Sequence, residues 1–402
     1  MKRRWISVSA IWVVLVVTMG FVAGCNGGSS DQAENAEAGL LGDASMFFIG
    51  DTTHNEFPSS SVALDGNVAV LLRERPVDRS SGQPSILKLQ MRDPQSELIW
   101  SLPLTDPREN VTDMKVIDGR GLLLIGKLGE NVLESTLIRE FSPEDGSTVS
   151  DMDTHWDPHF SPWSMNQLAN GNLLVLGGRV VEAGQPFEAY GVILDADGNK
   201  VGEWDNPATH LFPTDNGFLG VQRVPGGRYP DQTLYGLSET GELTWTIERA
   251  DTLIGGVVMG ALTASDGDIL VVGDDRTTRQ PVYVRIGAED GEVRWIKRNP
   301  ETLGYTCYNP MRLAENRIFI PCSKMQIDEA NQQQPWSSIG GLIIDENAQM
   351  LDSSLLMDFW MIPTMPAVEL GPGKVLMIGI ANVDPVTFPR ITDAGWLLAE
   401  VK

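Results

Sequence analysis

One phrase recurs through this chain. It is a polar turn with Gly or Asn, then a short apolar run, then a basic or polar loop. It reads GNVAVLLR at 66–73, GRGLLLIGK at 119–127, GNLLVLGGR at 171–179, NGFLGVQR at 216–223, GDILVVGDDR at 267–276, NRIFIPCSK at 316–324 and GKVLMIGIAN at 373–382. The runs recur at an average spacing of about 51 residues, a period of propellers and arrays. They are too short for ordinary helices and rich in Val, Leu and Ile, so they read as buried strands. A weaker strand precedes each run, as at 164–168 and 366–370. A third strand follows, at 85–90, 135–141, 189–195, 232–238, 281–287, 339–345 and 395–401. A tight turn and a fourth strand complete most units. The pattern predicts an all-β, seven-bladed β-propeller of four-stranded antiparallel blades. The last unit ends at its third strand. MFFIG at 46–50 is a spare strand, expected to close the ring from the N-terminus and hide the sheet edge.

The turns after the third strands carry a second phrase: LDADGNKVGEW at 194–204, LSETGELTW at 237–245 and IGAEDGEVRW at 286–295. DG and TG suit turns that need positive φ. Trp204, Trp245 and Trp295, with Trp100 in the first unit, fall on outer strands, where indoles can pack between blades. This phrase resembles the quinoprotein-type (PQQ-like) propeller repeat, with its acidic-x-x-Thr-Gly-x-x-x-Trp pattern. The resemblance implies the fold for most of the chain but is clear in only three or four units. It does not extend to the cofactor. The chain has three cysteines and no adjacent Cys-Cys pair to cover a quinone, so PQQ is not expected.

The first residues read MKRRWISVSAIWVVLVVTMGFVAGC. A basic n-region, a short apolar stretch and the sequence Val22-Ala23-Gly24-Cys25 resemble a bacterial lipobox. The resemblance implies lipidation of Cys25, cleavage before it and, with Asn26 rather than Asp following, sorting to the outer membrane of a Gram-negative envelope. The alternatives are an ordinary signal peptide and a single transmembrane helix. The domain reading is therefore a leader over 1–25, a flexible Gly/Ser/Ala/acid-rich tether over 26–45 and a propeller over 46–402. In an exported protein Cys307 and Cys322 suit a structural disulfide between adjacent strands; a reactive or metal-binding pair is the other reading. With 54 acidic and 30 basic residues the net charge is −24, which repels phosphate backbones and speaks against nucleic acid as a partner.

No GxGxxG, P-loop, HExxH or GxSxG motif occurs. There are four histidines, too few for a multi-histidine metalloenzyme. The segment DMDTHWDPHFSPW at 151–163 joins the second unit to the third. Asp153, His155, Asp157 and His159, with His210 one connection later, are candidates for a divalent metal or for catalysis. The competing reading is a solvated acidic loop whose Trp156, Phe160 and Trp163 cover the blade. No other cofactor is expected. Arg73, Lys127, Arg179, Arg223, Arg276 and Lys324 lie at or just past the ends of the second strands. They suggest either a basic collar for an anionic ligand or cations that answer local acids. The loop at 323–338 suits an adaptable contact surface. The segment LLMDFWMIPTMP at 355–366 reads as an inter-blade connection, either core or an apolar docking patch.

Two functions fit. One is a non-enzymatic, membrane-anchored binding or scaffold lipoprotein of the cell envelope, with a protein partner or an anionic ligand. The other is an envelope enzyme, a hydrolase, lyase or sulfotransferase-like protein, with a histidine at the channel mouth.

Overall fold

The structure is a computed structural model. It describes residues 41–49, 54–76, 85–106, 109–128, 133–154, 160–179, 188–204, 208–224, 231–275, 277–302, 304–326, 336–363, 367–382 and 392–401. These residues form seven antiparallel four-stranded blades in a propeller. Blade 1 runs through His54–Leu64, Asn67–Pro76, Ile86–Arg92 and Leu98–Leu104. Blades 2 to 5 repeat this order, with inner strands Glu109–Ile117, Phe160–Gln167, His210–Thr214 and Gly256–Thr263. Inner strands of consecutive blades touch, as between blades 1 and 2, 2 and 3, and 4 and 5.

The second strands are the buried ones, as their apolar runs require. Val68 to Leu72, Leu122 to Ile125, Leu173 to Leu176 and Ile269 to Val272 are all essentially inaccessible. Residues along each strand alternate between two blade interfaces. Ala69 and Leu71 pack toward blade 2, whereas Val68, Val70 and Leu72 pack toward blade 7. A sheet covered on both faces needs apolar residues at every position, so these runs show no alternation.

The ring closes with the N-terminal strand. Leu41–Ile49 pairs antiparallel with Thr392–Val401, from Leu41↔Val401 to Ile49↔Ala394, with one bulge before Ala44. It supplies the outer strand of blade 7. It starts at Leu41, earlier than the Met46 read from sequence, because backbone pairing continues on the N-terminal side of the MFFIG run, through Ser45 and Ala44 to Leu41. Residues 1–40, including Cys25 and most of the tether, lie outside the described residues.

Two segments differ from the sequence reading. The run at 355–366 is not a separate connection. Met350–Pro363 is one strand, which starts as the outer strand of blade 6 and ends paired with Lys374–Asn382 in blade 7. Register shifts along it let one strand serve both sheets. The loop at 323–338 is shorter than expected, because Lys324, Met325 and Gln326 still pair with Ser338, Ser337 and Trp336.

Cys307 and Cys322 face each other on the inner and second strands of blade 6 and form a disulfide. Its separation of 15 residues sets the loop that it closes. Replacing both cysteines by alanine is expected to cost about 3 kcal/mol through loop entropy. A urea titration checks this; an unmoved midpoint would show that blade 6 is held without the crosslink.

Consecutive blades are also latched by indoles. Trp100 Nε1 donates to the Pro143 carbonyl at 2.8 Å, Trp204 to Gly241 at 2.6 Å and Trp245 to Ala288 at 2.8 Å. Each acceptor lies in the third-to-outer turn of the following blade. Gly241 (φ 85°) and Gly291 (φ 69°) hold positive φ there, and a side chain on either would overlap the docked indole. Trp295 packs toward Ala348, which takes the glycine position in blade 6. Met152 fills the same place against Gly198 between blades 2 and 3. Between blades 7 and 1 the latch is Trp396, from a third strand, whose Nε1 reaches the Pro94 carbonyl at 3.3 Å.

Candidate binding face

Second strands end and inner strands begin at one end of the disc, here the upper end. Asp113 shows how this inner wall is built. Burial pushes its carboxyl up from the usual range, against the lowering effect of Lys115 and two backbone bonds. Its Oδ2 accepts the Met165 N–H of blade 3 at 2.9 Å, so it acts as a clip between neighbouring inner strands. Sequence reading missed it, since an isolated Asp on a weakly patterned strand carries no motif.

Most charged groups toward the upper end are paired. The Arg139 guanidinium lies between Glu109 (3.2 Å) and Asp151 (2.8 Å). Lys88 pairs with Glu74 at 2.6 Å. Arg73 Nη2 donates to Asn110 Oδ1 at 2.9 Å. Asp275 accepts the N–H groups of Thr277 and Thr278 and lies 3.4 Å from Arg298. Burial alone would raise the Asp275 carboxyl; those donors and Arg298 bring it below its ordinary value. Burial pushes up the Tyr308 phenol, whose hydroxyl lies 3.3 Å from Ser323 Oγ.

The collar positions are not in one register. Inner-strand bulges give a common origin, because Ser60↔Leu71, Asp113↔Leu124, Ser164↔Leu176 and Gly260↔Val272 are the pairs just past them. Arg73 lies two residues beyond its origin, whereas Lys127, Arg179 and Asp275 lie three beyond theirs. Neighbouring strand residues point to opposite faces. Arg73 therefore faces forward to blade 2, and Arg179, beside the Phe160–Tyr190 pair, faces back to blade 2. The third position is Glu74 in blade 1 and Asp275 in blade 5. Among the described side chains, Arg73 and Arg179 thus face opposite sides of their blades, and Glu74 and Asp275 hold the third position in blades 1 and 5. The shift is a one-residue difference in distance from that common origin, which a sequence alignment of strand ends does not reveal.

Two members of the set stand apart. The Arg179 guanidinium lies 4.4 Å from the Tyr190 ring centre, and the Lys324 ammonium 5.1 Å from that of Tyr305. Among the described residues neither has a hydrogen bond or an ion pair. The side chains of Lys127 and Arg223, and all of Arg276, lie outside the described residues.

The histidine segment is only partly placed. Asp153 pairs through its backbone with Leu137 near the end of the outer strand of blade 2. Its side chain, and all of His155, Asp157 and His159, lie outside the described residues. His210 opens the inner strand of blade 4, exposed, with Nδ1 2.9 Å from Thr209 Oγ1. Among the described residues no cluster of three or more His, Cys, Asp or Glu is placed to hold a metal ion.

No protein-family model matches the chain, and no curated protein matches it by sequence. Solved structures resemble it in fold. A puromycin-hydrolyzing peptidase of Mycobacterium tuberculosis aligns with TM-score 0.52 at 11% identity, over 82% of this chain and 52% of that one. The chain thus spans about half of the peptidase's length. A luciferin-regenerating enzyme aligns over 89% of this chain and 95% of its own, with TM-score 0.41 and 9% identity. What the peptidase shares with this chain is the fold.

Proposed function

We propose that this chain is a lipid-anchored propeller lipoprotein of the quinoprotein-type repeat class, a binding or scaffold module of the bacterial envelope. It works through the upper end of the disc. The observation that carries this reading is the contrast at that end. Arg139, Lys88, Arg73 and Arg298 are engaged within the fold, while Arg179 and Lys324 rest on aromatic rings with their donors unspent. A side chain held in place but not used internally suits contact with another molecule. The leader ending in Cys25 supports attachment to the outer membrane.

The test is affinity purification from gently solubilised native membranes, with Cys25→Ser as the control. The expected result is acylated wild type in the membrane fraction with a stoichiometric partner, and Cys25→Ser in the soluble envelope fraction. A solitary protein that stays soluble in both forms would overturn the reading.

A further inference from the structure

Arginine is normally spent in this chain. Arg139 serves Glu109 and Asp151, Arg294 serves Asp290 and Glu292, and Arg312 serves Glu346. Arg179 is different. Its guanidinium carbon lies over the Tyr190 ring, 4.4 Å from the ring centre, and its Nε is buried with no hydrogen-bond partner. The shelf itself is fixed. Tyr190 is buried, meets Phe160 edge-on at 5.7 Å and receives Lys200 Nζ at its hydroxyl at 3.4 Å. Burial, and then the nearby Glu203 carboxylate, push its phenol up from the ordinary value, so it is neutral at physiological pH. Glu203 is the acid that feels Arg179, but its carboxylate is bonded to Lys200, which holds it below the usual range.

A cation over a ring is held through its face, which leaves the Nη N–H donors at the guanidinium edge available. A buried donor without an acceptor is costly, and an incoming oxygen relieves that cost. A planar fork with a fixed orientation matches a carboxylate, sulfate or phosphate better than a mobile ammonium does. The net charge of −24 opposes anions at long range, but salt screens that field beyond about 8 Å, so the donors decide at contact. The same seating recurs with Arg75 over Phe57 (5.2 Å) and Lys324 over Tyr305 (5.1 Å). Only Arg179 joins the closest approach to an orphaned buried donor.

We propose that Arg179 on its Tyr190 shelf is an oxyanion subsite at the boundary between blades 2 and 3, taking a carboxylate, sulfate or phosphate group of the bound molecule. This deepens the binding-module reading and rests on it.

The experiment is isothermal titration of the full soluble chain with sodium sulfate, sodium phosphate and sodium galacturonate, each at ionic strength fixed with chloride. At least one oxyanion is expected to bind saturably. Arg179→Gln is expected to weaken it at least about tenfold, and Arg179→Lys by less, since a point charge keeps attraction but loses the fork. Lys374→Gln, exposed and away from the shelf, is expected to leave it unchanged. The Arg179 Nε–H resonance should shift with the same saturation curve. The rank of the three anions shows whether sugar acids, sulfate esters or phosphates are the source. Equal binding by wild type and a folded Arg179→Gln, or no saturable binding by any of the three, overturns the inference. If a membrane partner still co-purifies in that case, the module reading stands alone. If an oxyanion binds through Arg179 and no partner is found, the subsite stands and the module reading falls.

Discussion

Deleting residues 41–49 is expected to unfold the ring or drive it into aggregates. The deletion opens the Thr392–Val401 edge from Val401 to Ala394. It also removes Ala44 and Met46 from the cluster of Phe319, Val375, Met377 and Leu397. Each net ladder bond contributes about 0.5–1.5 kcal/mol, so this pairing is worth on the order of 5 kcal/mol before burial is counted. Whole domains are stable by only about 5–15 kcal/mol. An open strand edge is also a template for another chain. Thermal melting and size-exclusion chromatography read both effects. Adding the synthetic peptide of residues 41–49 should restore much of the melting temperature, because a strand can be supplied in trans. A deletion variant that melts like the parent and stays monomeric would show that the terminal strand merely decorates blade 7.

Arg285→Met is expected to be nearly as damaging. Arg285 is buried, with Nη1 donating to the Glu346 carbonyl at 3.1 Å, Nε 3.6 Å from Asp268, and Nη2 bonded to Asp266. Glu346 in turn accepts the Ser265 N–H at 2.9 Å and Arg312 at 2.8 Å. These groups bind blade 5 to blade 6. Removing one partner of a buried charged network costs about 3–5 kcal/mol. Arg294→Met, whose partners are largely exposed, should cost less than about 1 kcal/mol. The dependence on pH has a definite sign. Burial alone would raise Asp266, but its bonds, Arg285 among them, leave it below its ordinary value. Such groups contribute stability above the unfolded carboxylate pKa, near pH 4, and lose it as pH falls through the lower folded value. The gap between wild type and Arg285→Met should therefore be widest near neutrality and narrow below about pH 4. A gap of the same size in acid would mean that packing, not charge, makes Arg285 important.

The blades were legible because burial on both faces forces continuous apolar runs, and those runs are what repeats. Leu173 to Leu176 and Ile269 to Val272 could hardly be anything but central strands. The outer-strand indoles were legible for a related reason: a docked Trp needs a glycine turn opposite it, and both leave marks in sequence. Trp396 escaped notice because it docks from a third strand, where it looks like one more core residue. The strand ends were the least legible. Arg73 lies two residues and Arg179 three residues past the pair that follows its inner-strand bulge, so they face opposite sides of their blades, and the apolar runs do not mark that offset. Arg179 was found among the strand-end cations. What sets it apart from them, its seat on Tyr190 and its buried Nε, depends on a diagonal neighbour across strands that no linear spacing encodes.

The indole latches all point the same way, and this gives the disc an order in time. Trp100, Trp204 and Trp245 each reach forward to a turn that lies later in the chain. A blade emerging from the ribosome cannot seat its latch until the next blade has made its turn. Each new blade therefore completes the latch of the one before it. The exception is the turn at Pro94, among the first to be made, whose indole arrives 302 residues later on Trp396. Loop entropy grows only slowly with length, so the long wait adds little to the final energy, but it fixes which event comes last. Blade 1 is finished by the end of the chain, and a polypeptide stopped short of Trp396 would hold a row of formed blades with an unsealed first one.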